Sequence, residues 1–263
     1  MKSRVKKKEI GHCHICGKYG ELSFEHIPPQ KALNKYKAIT YTGDDVLKRY
    51  KGEKSRYKQL QKGMGKYTLC EQCNNSMGAW YADFYSDVAI DVARILHKRE
   101  PLKHGDYISF SSENFPAMEF VKQVISMFCS LLPLKEVQRL GFDKFLLDKE
   151  SKIMDSSLFD LKMYLTPIKT GQLMVGPSII CQLADTGIEV IQAADLCAYP
   201  FGFILNLTPQ YEIEYGVSIN NLLDTEYGKG YKVNITLQYL ERTSDTMPMP
   251  LIFKPLPNDE INK

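Results

Sequence analysis

The sequence carries two short cysteine motifs, Cys13-His14-Ile15-Cys16 and Cys70-Glu71-Gln72-Cys73, and the second continues directly into Asn74-Asn75. Cysteines spaced in this way can turn back onto a single ion, and two such pairs complete the tetrahedral shell that a structural zinc ion prefers. We therefore predict that Cys13, Cys16, Cys70 and Cys73 bind structural Zn²⁺. The alternative is that these cysteines are redox-active or unrelated to one another.

The segment between the two motifs is long and basic. Residues 1–66 contain 17 Lys and Arg against 6 Asp and Glu, a net charge of +11, whereas residues 67–263 contain 17 against 25, a net charge of −8. Tyrosines are interleaved with these basic residues, a pattern that suits contacts along a sugar-phosphate backbone. The predicted nucleic-acid contacts are Lys48, Arg49, Lys51, Lys54, Arg56 and Lys58. The alternative is a solvated basic loop that binds nothing.

Composition places the chain among globular proteins. Of its 263 residues, 44% are hydrophobic and 25% are charged, which is ordinary for a soluble domain. No basic region followed by an apolar run begins the chain, and about 18 consecutive apolar residues occur nowhere. We therefore expect a cytoplasmic protein with no membrane partner. Cys129, Cys181 and Cys197 stand alone in apolar surroundings, which predicts buried thiols rather than disulfides.

The length favours two structural units. Residues 1–100 are predicted to form a zinc-binding module with a basic insertion at residues 37–66 and a long helix at about residues 74–98. Residues 101–263 are predicted to form an α+β domain with an antiparallel sheet and no assignable function. The apolar stripe that defines the long helix is Trp80, Phe84, Val88, Val92 and Ile95.

In the second unit, residues 116–132 are predicted to be a helix. Its apolar stripe is Phe120, Val124, Met127, Phe128 and Leu131. Alternating or apolar segments bounded by turn signals predict strands. These strands are residues 107–110, 161–168, 173–183, 187–192 and 231–240. Residues 198–207 are predicted to be buried or to cover a sheet edge.

Between the cysteine motifs lies Glu25-His26-Ile27-Pro28-Pro29, and Leu69 precedes the second motif. In this order, the three motifs resemble the HNH, or β-β-α-metal, endonuclease family in its zinc-knuckle variant. The resemblance covers residues 10–90, about a third of the chain. It implies a fold with a zinc-stapled β-β-α-metal module and an activity that hydrolyses DNA, or RNA, with a divalent metal.

The resemblance also implies roles for single residues. His26 is the expected general base, since an imidazole titrates near neutral pH. Glu25 and Asn74 are the expected ligands of a catalytic cation, and Asn75 is the alternative to Asn74 because a helix start cannot be placed within a residue. Oxygen ligands favour Mg²⁺ or Mn²⁺. For His26, the competing interpretation is a purely structural histidine.

The chain departs from the family pattern at two positions. The family usually has an asparagine about five residues before the third cysteine, where this chain has Gly65, and Asn34 is the candidate for that bracing role. The family often has histidine at the position of Asn74. His12 and His14 flank Cys13 and are alternative zinc ligands, although four cysteines already fill the shell.

Three hypotheses follow. The first is an HNH endonuclease, and family members of this kind often serve restriction or antiphage defence, with a homodimer or defence-system partner contacting residues 101–263. The second is a zinc module that binds nucleic acid without cleaving it. In the third, the zinc is a structural staple beside a second domain that binds a protein or small ligand. Metal-dependent cleavage distinguishes the first from the others.

Overall fold

A computed structural model gives the fold of most of the chain. It describes residues 8–35, 38–40, 44–45, 48, 51–61, 63–99, 101–152, 155–167, 173–184 and 187–240, with side chains undescribed at 38–40, 173, 180–184 and 187–189. Helices and antiparallel strands are both well represented, so the predicted α+β class is confirmed. None of the helices in these ranges combines the length and apolarity that crossing a membrane requires.

The N-terminal part is built on a three-stranded antiparallel sheet in the order β1-β2-β5. Its strands are β1 (Ile10–His12), β2 (Tyr19–His26) and β5 (Gly65–Cys70). A separate hairpin, β3 (Ala38–Thr40) with β4 (Lys58–Leu60), lies within the predicted basic insertion. Strand β5 runs directly into a helical segment formed by α1 (Glu71–Met77), a π-helical turn (Gly78–Ala82) and α2 (Asp83–Lys98). The helix therefore begins three residues before the predicted start, so Cys73 and Asn74 lie in its first turn.

The C-terminal part contains a five-stranded antiparallel sheet in the order β11-β7-β10-β9-β8. Its strands are β7 (Asp160–Leu165), β8 (Leu173–Ala184), β9 (Gly187–Ala198), β10 (Phe201–Asn206) and β11 (Val217–Ser218). Strands β6 (Tyr107–Phe115) and β12 (Tyr231–Gln238) form a two-stranded sheet. The helices are α3 (Ala117–Cys129), α4 (Leu134–Arg139) and α5 (Phe142–Leu147), with short 3-10 turns at Ser156–Leu158 and Asn220–Asp224.

Residues 198–207 lie in the interior of the sheet and not at its edge. Strand β10 pairs with β7 on one side and with β9 on the other, and all of its residues are buried. The prediction of burial was correct, but the alternative of an edge cover was wrong. A run of apolar residues identifies a buried strand without identifying its neighbours.

Helix α3 is buried along its entire length, including the polar residues Glu119, Lys122, Gln123 and Ser126. A helix buried on every side must be surrounded by other elements. One continuous hydrophobic core contains residues of this helix, of the cysteine motifs and of the C-terminal sheet. Residues on both sides of the predicted boundary at residue 100 therefore share a core.

The face of α2 that enters this core differs from the predicted one. Phe84 and Ile95 belong to the predicted stripe but are 40% and 38% exposed. The buried face, counted from the π-helical turn, is Tyr81, Tyr85, Ala89, Val92 and Leu96. Both faces contain Val92 and lie side by side on the helix. Periodicity alone therefore did not distinguish them.

Aromatic packing connects α2 to α3 and to the sheet. Phe120 stacks on Tyr85 with ring centroids 5.4 Å apart and meets Phe201 edge-on at 5.7 Å.

We expect Phe120→Ala to lower the free energy of unfolding by about 3–5 kcal/mol, because it opens a cavity in a filled core. Phe84→Ala, on the exposed face of α2, should cost about 1 kcal/mol or less. Urea denaturation measures the free energy of unfolding of both variants. Equal losses in the two variants would contradict the assignment of the buried face of α2.

Candidate metal centre and adjoining groove

The first cysteine motif forms a tight turn between β1 and β2. The Cys13 N–H donates to the carbonyl of Lys18, the Gly17 N–H donates to the carbonyl of Cys13, and Gly17 has a left-handed φ of 73°. The His14 N–H donates to the carbonyl of Thr68 at 2.9 Å. This bond joins the turn to β5, where the second motif starts, and so brings the two cysteine pairs together.

The four cysteines converge on one point. The sulfur atoms of Cys13, Cys16, Cys70 and Cys73 all lie within 4.8 Å of one another. The sulfurs of Cys16 and Cys70 are 3.8 Å apart, and a tetrahedral zinc ion with Zn–S bonds of about 2.3 Å requires a sulfur spacing of about 3.8 Å. The residues therefore fit a structural metal ion such as zinc.

The protonation of the cluster fits the same ion. The pKa of the Cys13 thiol is lowered to about 4, chiefly because Cys73 donates a hydrogen bond to it and also because backbone N–H groups stabilise the thiolate. The pKa of Cys73 is raised for the reciprocal reason, with burial adding to the effect. Because a zinc ion binds thiolates, metal binding should release protons from the cluster.

His12 and His14 belong to other contacts. Nδ1 of His12 lies 3.0 Å from the carbonyl of Gly17, and Nδ1 of His14 lies 2.9 Å from the carbonyl of Cys129. Among the described residues, the ligand cluster contains the four cysteines and neither histidine. Cys129 and Cys197 are buried free thiols, as predicted, whereas the Cys181 side chain lies outside the described residues.

Asn34 braces the loop that follows His26. Its amide nitrogen donates to the carbonyls of Pro28 and Met64, at 2.6 and 2.8 Å, and its Oδ1 accepts from the Met64 N–H at 2.7 Å. The side chain is 1% exposed, so these bonds are sheltered from water. Asn34 therefore ties the loop to the start of β5, which is the bracing role anticipated for it.

Gly65 occupies a position that has no room for a side chain. A Cβ atom there would lie 2.0 Å from the carbonyl oxygen of Glu25. The same problem arises at Gly63, where a Cβ would lie 2.1 Å from the carbonyl oxygen of Asn34 and φ is 88°. The two chain segments therefore approach too closely for a side chain to fit at either glycine.

His26 and Asn74 line one groove beside the cysteine cluster. The groove has a volume of about 190 Å³ and brings together the end of β2, the loop after it, helix α1, the π-helical turn and helix α3. Its lining residues are Phe24, Glu25, His26, Pro29, Gln30, Asn74, Met77, Gly78, Ala82 and Gln123. π-Helical turns occur frequently at functional sites, and a Cβ at Gly78 would meet only open space.

The two groove residues are held by neighbouring groups. His26 is half-buried, and its ring meets that of Phe24 edge-on at 5.0 Å. The amide nitrogen of Asn74 donates to Ser23 Oγ at 3.0 Å and to the carbonyl of Phe24 at 3.1 Å. Because its nitrogen is engaged with β2, the Oδ1 atom of Asn74 is the one that can serve a cation. Asn75 is exposed and does not line the groove.

Glu25 precedes His26 on β2 and also lines the groove. Glu25 is 5% exposed and accepts a short hydrogen bond from Ser130, whose oxygen accepts one from Thr68 at 2.6 Å. Burial raises the pKa of Glu25 to about 8. The carboxyl is therefore engaged with Ser130, and its burial disfavours the charged form that a cation ligand would need.

The basic segment is described in part. Lys51, Lys54, Arg56 and Lys58 are exposed, whereas Lys48 is paired with Asp44 at 2.5 Å. Arg49 lies outside the described residues. Tyr57 is 65% exposed on the same segment. Four of the six predicted contacts are therefore presented to solvent beside an exposed aromatic ring.

Comparison with protein-family models, with curated proteins and with solved structures gives no match to this chain.

Sequence reasoning missed Gln30 and Gln123, which also line the groove. Gln30 follows the double proline of the quoted motif, and its closeness to His26 in the chain was an available signal. Gln123 lies about 100 residues away in the chain, on a helix identified only by its apolar stripe. No local pattern distinguishes such a residue from a solvent-facing one.

Loss of one cysteine ligand tests the metal centre. We expect Cys73→Ser to lower the zinc content from about one ion per chain to well below that and to lower the melting temperature, because metal binding stabilises the fold. Cys197→Ala, a buried thiol outside the cluster, should retain zinc. Elemental analysis and thermal denaturation measure both, and full zinc content in Cys73→Ser would refute the site.

The raised pKa of Glu25 predicts a pH dependence of stability. The folded protein holds a proton that the unfolded chain releases near the ordinary pKa of 4.5. The stability contributed by protonated Glu25 is therefore present below about pH 4.5 and is lost as pH rises to about 8, since the folded state binds more protons in that window. Glu25→Gln should remove this component. Urea denaturation at several pH values gives the slope of the free energy of unfolding against pH for the parent and for Glu25→Gln. Equal slopes in the two proteins would contradict this prediction.

Proposed function

We propose that this chain is a metal-dependent endonuclease of the HNH type that hydrolyses phosphodiester bonds in DNA. The observation that supports this best is the placement of His26 and Asn74 in one groove beside the four-cysteine cluster. The two residues come from β2 and α1, which are the strand and helix that the cysteines hold together. The cysteine cluster thus holds in place the strand and the helix that carry His26 and Asn74.

In this proposal, His26 is the general base. A ring nitrogen of His26 takes a proton from a water molecule as the water oxygen forms a bond to phosphorus. The bond from phosphorus to the leaving ester oxygen breaks, and solvent protonates that oxygen. Imidazoles suit this task because they exchange protons near neutral pH. The ring contact with Phe24 and the braced loop after it restrict the orientation of His26.

Asn74 is the residue that would hold a catalytic cation through Oδ1. A neutral amide oxygen and phosphate oxygens are hard ligands, which favour Mg²⁺ or Mn²⁺ over a second zinc ion. When bound, the cation stabilises charge on the scissile phosphate and on the leaving oxygen. The amide bonds from Asn74 to β2 hold Oδ1 in place for that contact.

The exposed basic residues would bind the nucleic-acid backbone. Lys51, Lys54, Arg56 and Lys58 can neutralise phosphates, which positions a strand without reading its sequence. Tyr57, exposed among them, offers a ring for stacking or a hydroxyl for a phosphate. Binding through such contacts weakens as salt rises.

A second candidate function is a zinc-dependent module that binds nucleic acid without cleaving it. The observation that favours it is the burial of Glu25 against Ser130, because burial raises the pKa of this carboxyl and disfavours the charged form that a cation ligand would need. Both candidates share the basic segment and the zinc site. They differ in whether His26 and a cation act on a bound strand.

Plasmid cleavage by zinc-loaded protein tests the first function. We expect nicking or linearisation of supercoiled DNA with Mg²⁺ or Mn²⁺ and none with EDTA at concentrations that leave the structural zinc in place. His26→Ala should lower the rate by about 100-fold or more, because general-base catalysis contributes that much. His97→Ala is the matched control, since His97 is exposed at the end of α2.

Three results separate the alternatives. Equal cleavage by the two histidine variants would refute the role of His26. Salt-sensitive DNA binding without cleavage by any protein would select the non-cleaving module. Absence of both binding and cleavage would leave the zinc site as a structural staple and reject both nucleic-acid functions.

A further inference from the structure

A row of three rings leads from the groove onto the surface of the N-terminal sheet. The ring of His26 meets that of Phe24 at a centroid distance of 5.0 Å, and the ring of Phe24 meets that of Tyr67 at 5.2 Å. His26 and Phe24 line the groove, whereas Tyr67 lies on the neighbouring strand β5, opposite Phe24. The row therefore connects the expected general base to a ring on the next strand.

The pairing of β2 with β5 builds this row. Phe24 and His26 are two residues apart on β2, which is the spacing of side chains on one face of a strand. Gly65 is the partner of His26 on β5, and a Cβ atom at Gly65 would lie 2.7 Å from Cζ of Phe24. The absence of a side chain at Gly65 thus leaves the space that the Phe24 ring occupies beside His26.

Tyr67 is the ring of the row that is most open to solvent. It is 49% exposed, whereas Phe24 and His26 are half-buried. Strand β4, with the exposed Lys58, ends four residues before β5 begins. The chain thus passes from the basic segment directly into the strand that carries Tyr67.

This combination restricts the ligand. Proteins bind unpaired nucleic-acid strands with cations that contact the phosphates and with aromatic rings on which the bases stack. In a continuous duplex the base faces are covered by neighbouring base pairs, and only the base edges are open in the grooves. An exposed ring beside the groove, on a strand that follows a cationic segment, therefore suits an unpaired base.

We propose that Tyr67, held in place by Phe24, is a stacking site for an unpaired base of the DNA strand that enters the groove. This inference rests on the proposed function and names its substrate class, which is DNA with unpaired bases. The stacked base anchors the strand next to His26, while the basic segment contacts its phosphates. Because every base has a face that can stack, the site tolerates any sequence.

Binding of labelled oligonucleotides tests the stacking site without requiring cleavage. Full-length, zinc-loaded protein is used without added Mg²⁺ or Mn²⁺, and fluorescence anisotropy measures its affinity for three ligands of equal length. These ligands are a single DNA strand, a blunt duplex and a strand whose sugar-phosphate backbone carries no bases. We expect Tyr67→Ala to weaken binding of the single strand by about 10-fold. Its affinity for the duplex and for the base-free strand should equal that of the parent.

Two further variants serve as controls. Tyr67→Phe keeps the ring and should bind the single strand as the parent does. Tyr107→Ala removes a 66% exposed tyrosine from β6 and should also bind as the parent does. The dependence of affinity on salt should be the same for Tyr67→Ala and the parent, because no phosphate contact is removed. Zinc content and melting temperature verify that every variant is folded.

The outcomes distinguish this inference from the proposed function. Equal affinity of the parent and Tyr67→Ala for the single strand overturns the stacking site, even if the protein cleaves DNA when Mg²⁺ is added. Equal weakening on the base-free strand, equal weakening by Tyr107→Ala or by Tyr67→Phe, and a parent that binds no single strand each overturn it as well. Single-strand binding that depends on the Tyr67 ring, in a protein that cleaves no DNA, supports the stacking site while rejecting the nuclease.

Discussion

Complete burial of helix α3 is the constraint on which the rest of the structure depends. Thirteen consecutive residues are removed from water, so other elements must cover every face of the helix. The cysteine motifs and α2 provide part of that cover and the C-terminal strands provide the rest. Burial of apolar area stabilises this arrangement in proportion to the surface covered. The polar residues on the same helix must then form hydrogen bonds inside the protein. Where the helix lines the groove, a bound molecule can also supply a hydrogen-bond partner.

Strand β2 connects this core to the candidate site. The strand carries Glu25, which meets Ser130 at the end of α3, and His26, and both residues line the groove. The Glu25 carboxyl, Ser130 and Thr68 form a buried chain of hydrogen bonds between the N-terminal sheet and α3. Because a carboxylate loses hydration in such a place, burial raises its pKa and favours the protonated form. Glu25, the neighbour of the expected base His26, thus contributes to the contact between the N-terminal sheet and α3.

Two kinds of support hold the groove in shape. The cysteine cluster fixes β2 and β5 relative to α1, and Asn34 fixes the loop after His26 to the start of β5. In the proposed function, a cation there would be held by Asn74 and by phosphates of the substrate, so its occupancy would be linked to substrate binding.

The sequence by itself determined the features that depend on neighbours within a few residues. Paired cysteine spacing was sufficient to predict the four-sulfur cluster, and apolar periodicity was sufficient for α3 and for several strands. Tertiary structure decided which face of α2 packs inward, where β10 lies in its sheet, that Glu25 meets Ser130 and that Gln123 lines the groove. These outcomes depend on contacts between segments far apart in the chain. Local propensity and periodicity describe a single segment and carry no information about the surface against which it will pack.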